Sequence, residues 1–108
     1  MNNKEHRERR QYERYPLRED VLIDGRTPAY SQNICEDGMF LSTLKPHKEG
    51  SLIQVTFSSR LTVRAEVSNS QPGIGMGIEF VDLDNDQRKT ILQIIEQIKR
   101  EASHDFTL

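Results

Sequence analysis

Four arginines crowd the start of this sequence. Arg7, Arg9, Arg10 and Arg14 lie within MNNKEHRERRQYERYP, ahead of any apolar periodicity. From Lys4 to Arg14 there are five Lys or Arg against three Glu, in a chain of 108 residues with a formal net charge of −2. Arginine presents a planar fork of donors that matches two phosphate oxygens or a guanine edge, and it stacks on a base. Arg10 and Arg14 are four apart. On a helix that spacing puts both on one face, and on an extended chain an even separation does the same. The pair therefore converges on one anion whichever way the arm folds. The competing reading is a solvated tail, loosely paired with Glu5, Glu8 and Glu13.

A second group stands in Asn33-Ile34-Cys35-Glu36-Asp37-Gly38. Asn33 and Cys35 are two apart and share one side of a strand. Gly38 admits a positive φ and so a tight turn. A small polar face beside a turn can exchange hydrogen bonds with a ligand edge; an ordinary hairpin would explain the same residues. Gly73-Ile74-Gly75-Met76-Gly77 is glycine-rich, but no Lys-Ser/Thr follows and a strand comes next. It reads as a loop entering a strand under close backbone packing, not as a phosphate loop.

Catalysis has little to work with. His6, His47 and His104 have no metal-ligand spacing, and one Cys with scattered His is poor material for zinc. Cys35 has no evident base to activate it. We expect no enzyme, no metal and no cofactor.

The elements that must position these groups are short strands. Residues 1–15 read as an arm, poorly ordered or partly helical without ligand, and Pro16 biases Tyr15 toward extended geometry. Val21 and Ile23 alternate with Asp20, Leu22 and Asp24 up to an Asp24-Gly25 turn. Residues 28–34 form a second strand, and Met39 to Thr43 a third. Ile53, Val55 and Phe57 mark a fourth. Leu61, Val63, Ala65 and Val67 mark a fifth that pairs with it as a hairpin. Met76, Ile78 and Phe80 mark the sixth. Then the period changes. Asp84 and Gln87 have capping-box spacing, and Ile91, Ile94, Ile95 and Ile98 follow the i, i+3, i+4, i+7 pattern of an amphipathic helix. The expected fold is mainly β: a six-stranded antiparallel barrel over residues 16–101 with a C-terminal helix, and a tail from 102 to 108.

Composition narrows the classes further. Hydrophobic residues make up 34% and charged residues 30%, which suits one domain with a modest core. No run approaches the ~18 apolar residues of a membrane span. Met1 to Tyr15 lacks a signal-peptide h-region, and the single cysteine cannot form an internal disulfide. We therefore expect a cytoplasmic protein. A pI near 5.9 and only seven Phe and Tyr count against a broad nucleic-acid face.

Together the motifs resemble the PilZ family, a six-stranded barrel with a following helix that binds the bacterial second messenger cyclic di-GMP. Its signature is RxxxR in an N-terminal arm, then (D/N)xSxxG near a strand end about 20 residues later. Arg10-Gln11-Tyr12-Glu13-Arg14 matches the first part in full. Asn33 and Gly38 match the second, and Cys35 departs from it. Gly75-Met76-Gly77-Ile78-Glu79-Phe80 resembles the family's GxGxxF-like strand. The likeness runs from about Arg9 to about Lys99. It implies a cyclic di-GMP receptor whose ligand meets Arg9, Arg10, Arg14, Asn33, Cys35, Gly38 and Gly77. It also implies an arm that wraps the ligand and signals to an effector protein. Arg9 adds a guanidinium suited to a second, stacked ligand, so we expect an intercalated dimer. Two alternatives stay open: a PilZ-like interaction module that has lost its ligand, and a barrel that binds single-stranded nucleic acid through the basic arm. The apolar surplus on the helix leaves a homodimer open as well.

Overall fold

The computed structural model describes residues 12–59 and 61–105, with side chains up to residue 102. Its elements are β1 (Tyr15–Ile23), β2 (Thr27–Cys35), β3 (Gly38–Ser42), β4 (Leu52–Phe57), β5 (Leu61–Gln71), β6 (Gly75–Val81) and α1 (Asn85–Asp105). The strands close into an antiparallel barrel in the order β1-β2-β3-β6-β5-β4. This is the expected fold class.

Local chemistry explains most of the elements. At Asp24-Gly25 both residues have positive φ, 54° and 73°, and the Arg26 N–H donates to the Ile23 carbonyl at 3.0 Å. That is the primed turn whose twist suits a hairpin. The β4–β5 ladder runs without a break from Leu52↔Glu66 to Phe57↔Leu61. Val63, Ala65 and Val67 point inward while Arg64 and Glu66 stay exposed. The capping box forms in both directions. The Gln87 N–H donates to Asp84 Oδ1 at 2.7 Å, and the Asp84 N–H donates to Gln87 Oε1 at 2.9 Å.

Helix α1 packs against β1 and β5, and its Ile91 and Ile95 join the core formed by the inward faces of the strands. Ile94 and Ile98 flank that contact. Leu92 stays exposed. The helix reaches Asp105, into the segment where the sequence suggests a tail from Ala102. No Gly or Pro lies between Asn85 and Asp105 to stop it.

The feature that the pattern does not announce is a bulge in β2. The ladder to β3 pairs Ser31 with Leu41 and then Asn33 with Phe40, skipping one residue. Ser31 is buried, and Ile34 is in the core. The extra residue reverses the alternation, so Asn33 and Cys35 lie on the side of β2 opposite Ile34, where Asn33 is half-buried and Cys35 is covered.

On β6, Met76 and Ile78 fill the core, which leaves Gly75 and Gly77 on the outer face. A Cβ added at Gly75 would stand 2.3 Å from the Leu41 carbonyl oxygen and 2.9 Å from Phe40 Cζ. One at Gly77 would meet only side-chain ends, with Asn69 Nδ2 nearest at 3.1 Å. The expectation of close backbone packing in this stretch holds. Gly75→Ala should therefore cost ~1–3 kcal/mol by overpacking, and Gly77→Ala distinctly less. Urea midpoints at unchanged slope measure the difference; equal midpoints for the two variants would refute the assignment.

Candidate functional site

The site is built on the outer face of β2, β3 and β6, beside the chain that leads into β1. Arg14 stands just ahead of β1. Its Nη1 donates to Asn33 Oδ1 at 2.7 Å, across 19 residues of sequence. This exposed bond brings together the two halves of the candidate motif. A hydrogen bond to a charged donor is stronger than a neutral one, yet solvent access keeps it exchangeable. Arg9 and Arg10 lie outside the described residues.

Cys35 ends β2 and is buried, with 1% of its surface exposed. Its thiol donates to Asp37 Oδ1 at 2.8 Å. Asp37, a residue the motif leaves unspecified, is the acceptor that orients the thiol. Its own backbone carbonyl accepts the Phe80 N–H at 2.8 Å, which ties the β2–β3 turn to β6. The only hint in the sequence is its place inside NICEDG.

Gly38 opens β3 opposite Cys35 and Glu79. The expected positive φ is not found: the described glycines with positive φ are Gly25, Gly50 and Gly73. Gly38 is required for a different reason. A Cβ there would stand 2.1 Å from the Ile78 carbonyl oxygen, so the strand pair closes only around a hydrogen. Gly77 lies across from Phe40 on β3 and Asn69 on β5. Its N–H donates to Asn69 Oδ1 at 3.3 Å, beside a second bulge between Val67 and Asn69. Asn69 is a site neighbour for which the sequence carries no signal.

The arrangement therefore offers one exposed guanidinium and an amide, beside a buried thiol and buried glycines that draw the strands together. It can hold a flat or anionic ligand by hydrogen bonds. Among the described residues no group of three or more His, Cys, Asp or Glu converges as metal ligands.

Comparison with known proteins gives the same direction. The family model described as PilZ domain matches residues 8–97. The chain belongs to the PilZ family. PilZ domains are binding domains of cyclic di-GMP receptors rather than enzymes. A comparison with curated proteins gives no match. Among solved structures, an uncharacterized Legionella protein is similar at a TM-score of 0.59 and 11% identity. That alignment covers 85% of this chain and 99% of the Legionella chain, and at such identity it speaks to the fold alone. No helix among the described residues of this PilZ domain is long and apolar enough to cross a membrane.

The Cys35 thiol is raised above its ordinary value, first by burial and then by the hydrogen bond to Asp37, while Arg14 pulls weakly the other way. A folded-state pKa above the unfolded one adds stability that is complete below the unfolded value, ~8.5. That stability is lost as pH rises through the folded value. The parent should therefore lose stability above about pH 8.5, and Cys35→Ser, which has no group titrating there, should lose less. Urea midpoints from pH 7 to 10 measure this; parallel declines would refute it.

Proposed function

We propose that this PilZ protein is a cyclic di-GMP receptor that reorients its N-terminal arm on binding and signals to a partner protein. The observation that carries the reading is the 2.7 Å bond from Arg14 to Asn33, which joins the RxxxR end to the NxCxxG strand. Cyclic di-GMP has two phosphates and two guanines. Forked arginine bonds suit both, through phosphate oxygens and through guanine O6 and N7. Arg14 exchanges its exposed bond to Asn33 for the ligand, Arg10 joins it, and the ordered arm is the signal. Asn33 faces the base from the barrel side, the buried Cys35 supports it from beneath, and Gly38 and Gly77 let the strands lie close under the ligand. Arg9 neutralises a second, stacked ligand, so two ligands bind per chain. The reading needs neither a metal nor a catalytic group.

One observation favours a second reading, an interaction module without ligand. The Cys35 thiol gives its hydrogen to Asp37, and a thiol is a weaker acceptor than the serine hydroxyl of the family motif.

Isothermal titration with cyclic di-GMP, with GTP as control, separates the two. Saturable binding at two ligands per chain is expected. Arg10→Ala and Arg14→Ala should each weaken it by about 10- to 100-fold, as for loss of a bidentate arginine–guanine contact. A ratio of one removes the stacked dimer. Mutants that bind like the parent remove the arm from the site. A folded parent with no saturable binding removes the receptor reading and favours the module.

A further inference from the structure

A cavity of about 160 Å³ opens between the β2–β3 turn, the end of β6 and the first turns of α1. Apart from Phe80, which ends the GxGxxF-like strand, its lining lies at none of the fixed motif positions. Tyr12 and Arg88 line it, together with the carboxylates of Asp37 and Asp82 and the apolar Ile91 and Leu92. It is far smaller than the ~300–1,000 Å³ of a site for a whole drug-sized ligand. Its size suits one ring system.

We propose that this cavity is a guanine-base subsite, read by Asp37 and Arg88 and roofed by Tyr12. The proposal rests on the cyclic di-GMP reading and names where one of the two bases goes. Charge excludes a phosphate there. Glu36 adds a third carboxylate to the wall, against the single guanidinium of Arg88. Guanine meets that balance, because it carries two donors, N1–H and N2–H₂, beside two acceptors, O6 and N7. A carboxylate accepts from the donors, and a guanidinium donates to the acceptors. An aromatic ring stacks on the base face.

The groups are free to do so. Asp37 spends Oδ1 on the Cys35 thiol, and among the described residues its Oδ2 has no partner. Its turn is held by the bond from Phe80. Among the described residues the Arg88 guanidinium has one long bond, at 3.5 Å to the Leu83 carbonyl. Asp82 and Glu36 are exposed, Asp82 in an exchangeable pair with Arg64 at 3.3 Å, whereas Asp37 is half-buried and held by the Cys35 thiol; Asp37 is therefore the reader. The cavity also adjoins the motif site. Tyr12 lies two residues before Arg14, and Asp37 two residues after Cys35.

Titration calorimetry of the full chain tests the subsite with cyclic di-GMP and cyclic di-AMP as probes. Asp37→Asn keeps an acceptor for the thiol, and Arg88→Met keeps the helix; thermal unfolding verifies both folds. Each should weaken cyclic di-GMP binding by about tenfold or more, and Asp37→Asn should narrow the preference over cyclic di-AMP. If both bind like the parent while Arg14→Ala does not, the subsite is wrong and the receptor reading stands. If the parent binds no cyclic di-GMP, the receptor reading fails, and GMP against AMP tests the cavity directly. Amide NMR shifts at Tyr12, Asp37 and Leu83 with GMP, and not with AMP, then sustain a guanine pocket. No shift with either nucleotide overturns it.

Discussion

The β3–β6 seam closes because two of its positions have no side chain. Gly38 and Gly75 bring the strands to a distance at which a single Cβ would collide with a carbonyl oxygen, at 2.1 and 2.3 Å. Such contacts cannot be relieved by a rotamer change, because both partners are backbone. The seam is one of the two joins between the first three strands and the last three, the other being β1–β4. Close approach of β3 and β6 therefore comes from these two buried glycines. A side chain at either would push the two strands apart.

On that rigid frame the polar contacts are built at two strengths. Arg14 and Asn33 meet where solvent reaches them, as do Arg64 and Asp82. Exposed pairs of this kind are worth about 0–1 kcal/mol when ionic, and a ligand can replace them. The Cys35–Asp37 bond lies deeper and is tied through the Asp37 carbonyl to β6. The arm side of the site is thus made to exchange, and the turn side to stay. Lys99 lies 5.6 Å from the centroid of the Tyr15 ring, so the residue next to Arg14 is in contact with α1. Movement at Arg14 is therefore mechanically close to the helix.

Much of this was legible in the sequence, for identifiable reasons. Strict alternation at Leu61 to Val67 and the Asp84–Gln87 box are local patterns, and local patterns survive folding. So does the Asp24-Gly25 turn, since few residues accept two positive φ values in succession. The β2 bulge was not legible. It depends on which residue of β3 each residue of β2 meets, and that register is a property of two strands. The motif places Arg14 and Asn33 at one ligand, but announces neither their direct bond nor the acceptor role of Asp37. Gly38 shows a subtler failure: the residue was singled out, and the reason given was wrong. A glycine answers two demands, an unusual φ and a missing Cβ, and sequence does not separate them.

The departure at Cys35 gains a meaning from its surroundings. A serine at that position would donate and accept well, and could serve a base directly. A thiol accepts poorly, and this one is buried, protonated and committed to Asp37. Its hydrogen holds one oxygen of the carboxylate and leaves the other unpartnered among the described residues. The polar capacity lost at 35 is thus carried two residues on, to a stronger acceptor on the rim of a cavity. Carboxylate chemistry selects for paired N–H donors more sharply than a hydroxyl does, because it cannot donate in return. On the receptor reading proposed above, a site built this way trades breadth of recognition for discrimination between bases.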